Sequence, residues 1–373
     1  MRSVKNGFFT ATVIVSMMTG NVNAVEFGAF GNASYTDSDK KGANSSFVLG
    51  ALDLYAAEDI DEKTDVFVEY VFENDGEGFV IDLERMWVKR RIDEAFQIAA
   101  GRFHAPLGYW NRTYHHGVLI QDTATRPQFL DFEDGEGAIL PVHVVGLMAT
   151  GSFDAGTSIF KYEVALANSS TFDSAASVNA SVPGNGVEIG IANISDLSND
   201  KSIYGRFTYN PKRLAIEFGA FAMSGTYLEA GGGDPQFGSL TAGKPLVDQT
   251  VLGGDFHFEK RGLRILAEYY RFDNQNKVSG NASFNAQAFY IQTSYQVTPL
   301  LRPVYRYESV SDITAGDVFF QILGAQNVDN HVIGLRLDLD DSNAVTFQVT
   351  NHQFDNPNND FTDYIIDWSF MLF

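Results

Sequence analysis

The chain has 373 residues, with 47 acidic and 26 basic side chains and a net charge of −21 at pH 7. This acidity argues against a nucleic-acid partner, because phosphate binding requires clustered lysine and arginine side chains. The chain contains no cysteine, which excludes a disulfide framework, thiolate catalysis and a cysteine-based zinc site.

Residues 1–24 have the layout of a secretory signal peptide. Arg2 and Lys5 give a basic start, residues 8–18 are mostly apolar, and small residues end at Ala24. The alternative is a membrane-spanning anchor, but a span needs about 20 apolar residues, more than this run contains. We expect cleavage after Ala24 and a single exported domain formed by the rest of the chain, 25–373.

From residue 25 onwards, segments of about ten residues alternate apolar and polar side chains, with turn residues between them. In one of them Phe289 and Ile291 share a face, whereas Tyr290 and Gln292 share the other. Such alternation is weak in one segment and cumulative over many, and it is typical of a transmembrane β-barrel. The sixteen segments are 25–35, 46–57, 64–73, 79–91, 96–103, 142–152, 158–168, 202–209, 214–223, 249–258, 263–272, 285–297, 301–310, 330–339, 344–353 and 361–373.

The connections alternate between short and long. IDEKT (60–64) is short, whereas YTDSDKKGANS (35–45) is long and rich in Asp, Gly and Ser. A barrel with both termini in the periplasm requires this rhythm. A secreted all-β sandwich would explain the alternation of side chains, but neither the rhythm nor strands longer than the usual five or six residues or so. We therefore predict an all-β fold, a transmembrane antiparallel β-barrel of about 16 strands with short periplasmic turns and long extracellular loops.

The longest connection, residues 104–140, joins the fifth and sixth predicted strands, and connections of this length are usually functional. Tyr109 and Trp110 are rigid rings that can pack on the inner wall, and Pro106 and Gly108 favour a turn. The segment DFEDGEG supplies a dense anionic patch, formed by Asp131, Glu133, Asp134 and Glu136.

Three histidines, His104, His115 and His116, lie in this connection. Adjacent histidines followed by carboxylates suggest a metal site, but neighbouring side chains on an extended backbone point in opposite directions and cannot easily chelate one ion. Nucleophilic catalysis needs a serine held by a histidine, and residues 104–150 contain no serine. We expect no enzyme activity, no metal and no cofactor, and interpret the histidines as polar residues that shape a constriction.

Basic side chains on the inward faces of the predicted strands are candidates for lining a pore. A charge on the lipid face at mid-membrane costs about 2–4 kcal/mol, which favours inward positions where the alternation is ambiguous, as in segment 79–91. For each candidate the alternative is an ion pair with a wall carboxylate such as Glu69, Glu308 or Asp338. The candidates are Arg85, Lys89, Arg206, Arg264, Arg302, Arg306 and Arg336.

The final residues, DYIIDWSFMLF, resemble the C-termini of outer-membrane barrel proteins, which end in phenylalanine. Residues 364, 366, 368, 370 and 372 are all apolar, whereas Asp367 and Ser369 share the parity of Phe373. Which face of the last strand meets lipid is therefore left open.

Taken together, the signal peptide, the sixteen segments, the acidic charge, the absent cysteine and the final Phe resemble the Gram-negative outer-membrane porin superfamily over the whole sequence. Within it, GRFHAPLGYW (101–110) resembles the phosphate-selective porin-like group, a match of about a dozen residues that does not assign phosphate as a substrate. The resemblance implies a bacterial outer-membrane channel for passive diffusion of small hydrophilic solutes or ions. It also implies a homotrimer and an inward fold of the loop 104–140.

Another class of function, a non-conducting outer-membrane barrel (a structural or adhesion protein, or a barrel enzyme), stays open. The discriminating observation is whether the loop leaves the lumen open or plugs it. Acidic outward loops are expected to bridge to lipopolysaccharide phosphates through divalent cations. We expect a weak preference for cations if the four loop carboxylates reach the lumen. A preference for anions is expected if they face outward and Arg302, Arg306 and Arg336 are left unpaired.

Overall fold

The computed structural model describes residues 25–74, 79–114, 119–132, 137–172, 189–190, 195–229, 242–278 and 280–372. Within these ranges sixteen antiparallel strands close into a barrel, and the short β8 pairs in parallel with β10 at its rim. The strands are β1 (Glu26–Ser38), β2 (Ser46–Asp61), β3 (Thr64–Asn74), β4 (Phe79–Arg91), β5 (Gln97–His104), β6 (His143–Ala155), β7 (Ser158–Asn168), β8 (Ser170–Phe172), β9 (Lys201–Pro211), β10 (Ile216–Glu229), β11 (Pro245–Lys260), β12 (Leu263–Asn276), β13 (Ser283–Tyr295), β14 (Leu301–Ser311), β15 (Val328–Asp340), β16 (Asn343–Phe354) and β17 (Phe361–Leu372).

The predicted fold class is confirmed, and each of the sixteen predicted segments coincides with one strand of the barrel. Pairing of β1 with β17 closes the sheet, so neither strand is left as a free edge. Two short helices were not predicted: α1 (Trp110–Thr113) in the longest connection and α2 (Val318–Leu323) between β14 and β15. No helix among the described residues is long and apolar enough to span a bilayer.

The distribution of side chains is inverted relative to a water-soluble protein. Along β15, Asn330 and Arg336 are buried inside the barrel, whereas Ile333 and Leu335 are exposed on its outside. In a secreted sandwich the buried face would be apolar, so the buried polar face argues against that alternative. An apolar outer surface is what a lipid environment requires.

The last strand follows the same rule. Asp367 and Ser369 are almost completely buried, while Ile366 and Trp368 are exposed on the outside. The question of which face of the last strand meets lipid is thus answered: its aromatic and aliphatic residues lie on the lipid side.

A β-bulge explains the ambiguous alternation in β4. Glu69 pairs with Arg85, but the next residue of β3 pairs with Leu83, which leaves Glu84 as the extra residue. Beyond the bulge, Met86 and Val88 are exposed on the outer surface, and Arg85 lies against the buried Glu69 inside the barrel.

Two insertions occupy part of the lumen. The connection between β5 and β6 enters the barrel and buries Trp110 and Phe129 completely. At the rim that carries the long loops, α2 packs Phe319 against Phe172 of β8 and Tyr227 of β10, with ring centroids 5.8 and 4.9 Å apart.

Candidate functional site: the barrel lumen and its inward loop

The inward loop, residues 105–142, is closed at its neck by backbone and amide hydrogen bonds. The backbone N–H of Ala105 donates to the carbonyl of Val142 at 2.8 Å. The side-chain amide of Asn111 donates to both of these residues' carbonyls, at 3.1 Å each. The two ends of the loop are therefore held together where they leave β5 and enter β6.

The start of the loop is attached to the wall at a buried carboxylate, Glu268 of β12, and Arg112 forms an ion pair of 2.6 Å with Glu163 of β7. Oε1 of Glu268 accepts the backbone N–H of Trp110 at 2.6 Å and the hydroxyl of Tyr290 at 2.8 Å. Its Oε2 accepts the hydroxyl of Tyr270 at 2.5 Å. Gly108 makes this approach possible, because a Cβ atom there would lie 2.0 Å from Oε2 of Glu268.

Aromatic packing supports the same attachment. The ring of Trp110 meets Tyr290 edge-on at 5.7 Å, and Phe129 meets Tyr270 at 5.5 Å. Tyr109 lies on the ring of His257 at 4.6 Å. Burial raises the pKa of Tyr109 and of Tyr114 above the ordinary tyrosine value, so both phenols stay neutral at physiological pH.

Farther along the loop, Asp122 is an ionic anchor. Its carboxylate accepts from Arg264 at 2.7 Å and from the hydroxyl of Ser294 at 2.6 Å, and Arg302 lies 3.5 Å away. Because Asp122 is almost completely buried, these are charge-assisted contacts in a poorly solvated position, where such hydrogen bonds are strong.

Two wall arginines bind the backbone of the same segment. Arg306, fully buried, donates to the carbonyls of Thr125 and Arg126 at 3.1 and 2.9 Å. Arg336 donates to the carbonyls of Gln121, at 2.8 Å, and Leu119.

Anion preference was expected only if Arg302, Arg306 and Arg336 were unpaired. In the structure all three have partners, so this requirement is wrong. Arg306 and Arg336 also form ion pairs of 2.6 Å with Glu308 and Asp338 of their own strands. Carbonyl groups and Asp122 of the inward loop occupy the donors that an anion in the pore would otherwise use.

The other predicted basic residues lie inside the barrel away from this segment. Arg206 forms a bidentate pair with Asp255 at 2.7 and 3.2 Å. Arg85 forms one with Glu69 at 2.5 and 3.0 Å. Lys89 lies 3.1 Å from the carboxylate of Asp65.

Of the predicted loop residues, His104 lies with its ring 5.3 Å from that of His143, whose Nε2 lies 2.9 Å from Glu84. Within the described ranges there is no group of three or more residues suited to hold a metal ion. His115, His116, Glu133, Asp134 and Glu136 lie outside the described residues, as does the predicted signal peptide.

Open space remains beside the inward loop. Cavities of about 320 and 260 Å³ separate its 124–132 segment from β1–β3 and β14–β17, and both are bordered by Arg126 and Asp131. A larger cavity of about 460 Å³ lies along β4–β7 and is lined by Arg85, Lys89, Arg112 and Lys161. The described part of the loop therefore does not fill the space inside the barrel.

Several of these residues were not predicted from the sequence. Lys161 follows the inward parity of its strand and could have been found by the rule that selected Arg85 and Lys89. Asp122 and Arg112 could not, because no local pattern marks a loop residue whose partners come from distant strands.

Comparisons with known proteins extend this description. No family model and no curated protein matches the chain. An anion-selective porin from Comamonas acidovorans is similar in structure at 11% identity, with a TM-score of 0.59 over 94% of this chain and 99% of that one. A loop-deletion mutant of OmpT, an outer membrane protein of Vibrio cholerae, has 10% identity and the same TM-score and coverage. The outer membrane channel DcaP of Acinetobacter baumannii has 10% identity, with a TM-score of 0.56 over 93% and 97%.

At such identities the likeness shows the fold, and the finer resemblance to phosphate-selective porins is not confirmed. The chain has the fold of a bacterial outer-membrane β-barrel.

Proposed function

We propose that this protein is an outer-membrane porin, a water-filled channel for passive diffusion of small hydrophilic solutes or ions. The observation that supports this most is the asymmetric filling of the lumen. The inward loop is fastened mainly to the β12–β16 wall, through Glu268, Asp122 and the wall arginines, with a further ion pair from Arg112 to Glu163 of β7. The larger open space, of about 460 Å³, lies toward β4–β7, and smaller cavities lie toward β1–β3 and along β14–β17. A loop fixed to one wall narrows a channel and leaves a passage beside it.

A catalytic role has no comparable support. Residues 104–150 contain no serine that one of the loop histidines could activate. The second candidate is a non-conducting barrel, favoured by the aromatic packing of α2 against Phe172 and Tyr227 at one rim. Conductance separates the two candidates directly.

The purified protein should therefore give discrete current steps when it is reconstituted into a planar lipid bilayer in KCl. Folding is verified on the same preparation by the β-sheet circular dichroism spectrum. Folded protein that inserts into the bilayer and carries no current would favour the non-conducting barrel.

We further propose a homotrimer whose acidic outward loops bind lipopolysaccharide through divalent cations. The net charge of −21 and the abundance of aspartate in the long connections support the bridging. Removal of divalent cations with a chelator should lower the thermal stability of the purified complex and release lipopolysaccharide. Re-addition of Mg²⁺ should restore both, and a complex that is equally stable and equally lipid-loaded with chelator contradicts the bridging.

A further inference from the structure

The cavity along β4–β7 has an unusual charge balance. Its volume is about 460 Å³. Among the described residues that line it, Arg85, Lys89, Arg112 and Lys161 are cationic, and Glu163 is the anionic one. The other carboxylates that pair with these cations, Glu69 and Asp65 of β3 and Glu217 of β10, do not line the cavity.

Arg85 and Arg112 have carboxylate partners, Glu69 at 2.5 Å and Glu163 at 2.6 Å, but each of the two lysines shares its carboxylate with another cation. Asp65 is shared between Lys89 at 3.1 Å and Arg91 at 3.5 Å. Glu217 is shared between Lys161 at 3.6 Å and Arg206 at 3.8 Å.

Lys161 is the most accessible of the four cations, with half of its side chain exposed. Because Lys89 and Lys161 are neutralised only in part by shared carboxylates, the cavity carries a positive potential that attracts anions.

One part of the remaining lining is apolar and includes an aromatic surface. Trp87, Phe103 and Met148 border the same cavity. Trp87 is held in place by stacking on Phe67, with ring centroids 5.6 Å apart, and the ammonium of Lys89 lies 4.8 Å from its ring centre. A cation beside an indole face suits a ligand that combines an anionic group with an apolar body.

We propose that this cavity is a binding subsite for small organic carboxylates that carry an apolar body. The carboxylate contacts Lys89, Lys161 and Arg112, and the apolar part lies along Trp87 and Met148. An inorganic oxyanion would use the cations alone, and a neutral solute would use none of them. In its role as a step in permeation the subsite rests on the proposed channel function, in which binding must be weak enough for release.

Benzoate is the probe, because it joins one carboxylate to a flat ring. Added to the full-length protein in a planar bilayer in KCl, it should interrupt the current in a concentration-dependent way. Saturation-transfer NMR on the detergent-solubilised protein should detect the same binding without requiring conductance. The neutral analogue benzamide should have no effect in either measurement.

The double variant Lys89→Gln/Lys161→Gln should raise the apparent Kd for benzoate about a hundredfold, since each of the two charge-assisted contacts contributes the equivalent of about tenfold. Lys212→Gln is the matched control. Lys212 is an exposed lysine paired with Asp154 at 2.7 Å and does not line the cavity, so its removal should leave the Kd unchanged.

If current flows in KCl but benzoate changes neither the current nor the NMR signal, the subsite proposal is overturned and the channel proposal is retained. Equal effects of phosphate and benzoate would show a site that recognises charge alone and would overturn the assignment to organic carboxylates. If no current flows, the channel proposal fails, and the NMR titration of the wild type against the double variant alone decides the subsite.

Discussion

Gly108 determines how closely the inward loop approaches the barrel wall. Its φ angle of +67° lies in the left-handed region, which glycine adopts without the steric penalty of a side chain. The same residue faces the carboxylate of Glu268 and the hydroxyl of Tyr270, where a Cβ atom would lie 2.0 and 2.1 Å away. Position 108 therefore requires both a left-handed backbone and the absence of a side chain.

Gly108→Ala should therefore destabilise the protein in two ways. Left-handed strain costs about 1–2 kcal/mol, and disruption of the Glu268 hydrogen bonds adds about 1–3 kcal/mol. Gly156→Ala is the control, because Gly156 has φ +61° but no atom within 4 Å of its added Cβ. Denaturant unfolding in detergent measures both variants, and equal losses would show that the contact with Glu268 contributes nothing.

Several contacts hold the loop segment 119–126 against the strands β12–β16, and we call this set of contacts the latch. The latch combines an ion pair, Asp122 with Arg264, and carbonyl groups that accept from Arg306 and Arg336. Neither partner is exposed, so solvent screens the ion pair little.

A double-mutant cycle of Asp122→Asn and Arg264→Gln should give a coupling energy of about 1–3 kcal/mol in unfolding experiments. The same cycle on the exposed pair of Arg90 and Asp61, 2.7 Å apart, should give a clearly smaller coupling energy, because water and salt screen an exposed pair. Asp122→Asn should also increase the single-channel conductance, because the released segment widens the lumen. A coupling no larger than that of the surface pair would refute the latch.

The strands could be predicted from the sequence because the alternation of apolar and polar side chains can be read within each segment. A register shift of one residue would move the charged side chains to the lipid face. In β4 alternation alone was insufficient: the cost of a charge in lipid predicted Arg85 to lie inward, whereas the bulge at Glu84 that makes this possible has no mark in the sequence. The helices α1 and α2 are too short to show a period of their own. Asp122 and Glu268 gain their roles from partners more than a hundred residues away, so only the folded chain brings them together.

In the proposed channel, charges close to the open cavities should decide the ion preference, because the screening length at physiological salt is about 8 Å. The expected weak cation preference depended on four loop carboxylates, of which Asp131 alone is described. Asp131 borders two of the cavities, and Lys161 borders the third. We therefore expect Asp131 to favour cations and Lys161 to favour anions in the proposed channel.

Reversal potentials across a KCl gradient should shift accordingly. Asp131→Asn should move the potential toward that of an anion-selective pore, and Lys161→Gln should move it toward cation selectivity. Lys212→Gln, at a turn outside the cavities, should leave it within error of the wild type. Shifts of the same sign for Asp131→Asn and Lys161→Gln would exclude local control by these cavities.

The closure of β1 onto β17 makes barrel assembly an all-or-nothing event. Asp367 accepts hydrogen bonds from Asn32 at 2.6 Å and from Ser34 at 2.7 Å, across 335 and 333 positions of sequence. This seam joins the first strand to the last, so it cannot form until the final residues of the chain have been delivered. Until then two strands present unpaired backbone groups, which hydrocarbon does not tolerate. The nascent sheet must therefore be shielded from lipid, and a chain truncated before β17 has no route to a stable inserted state.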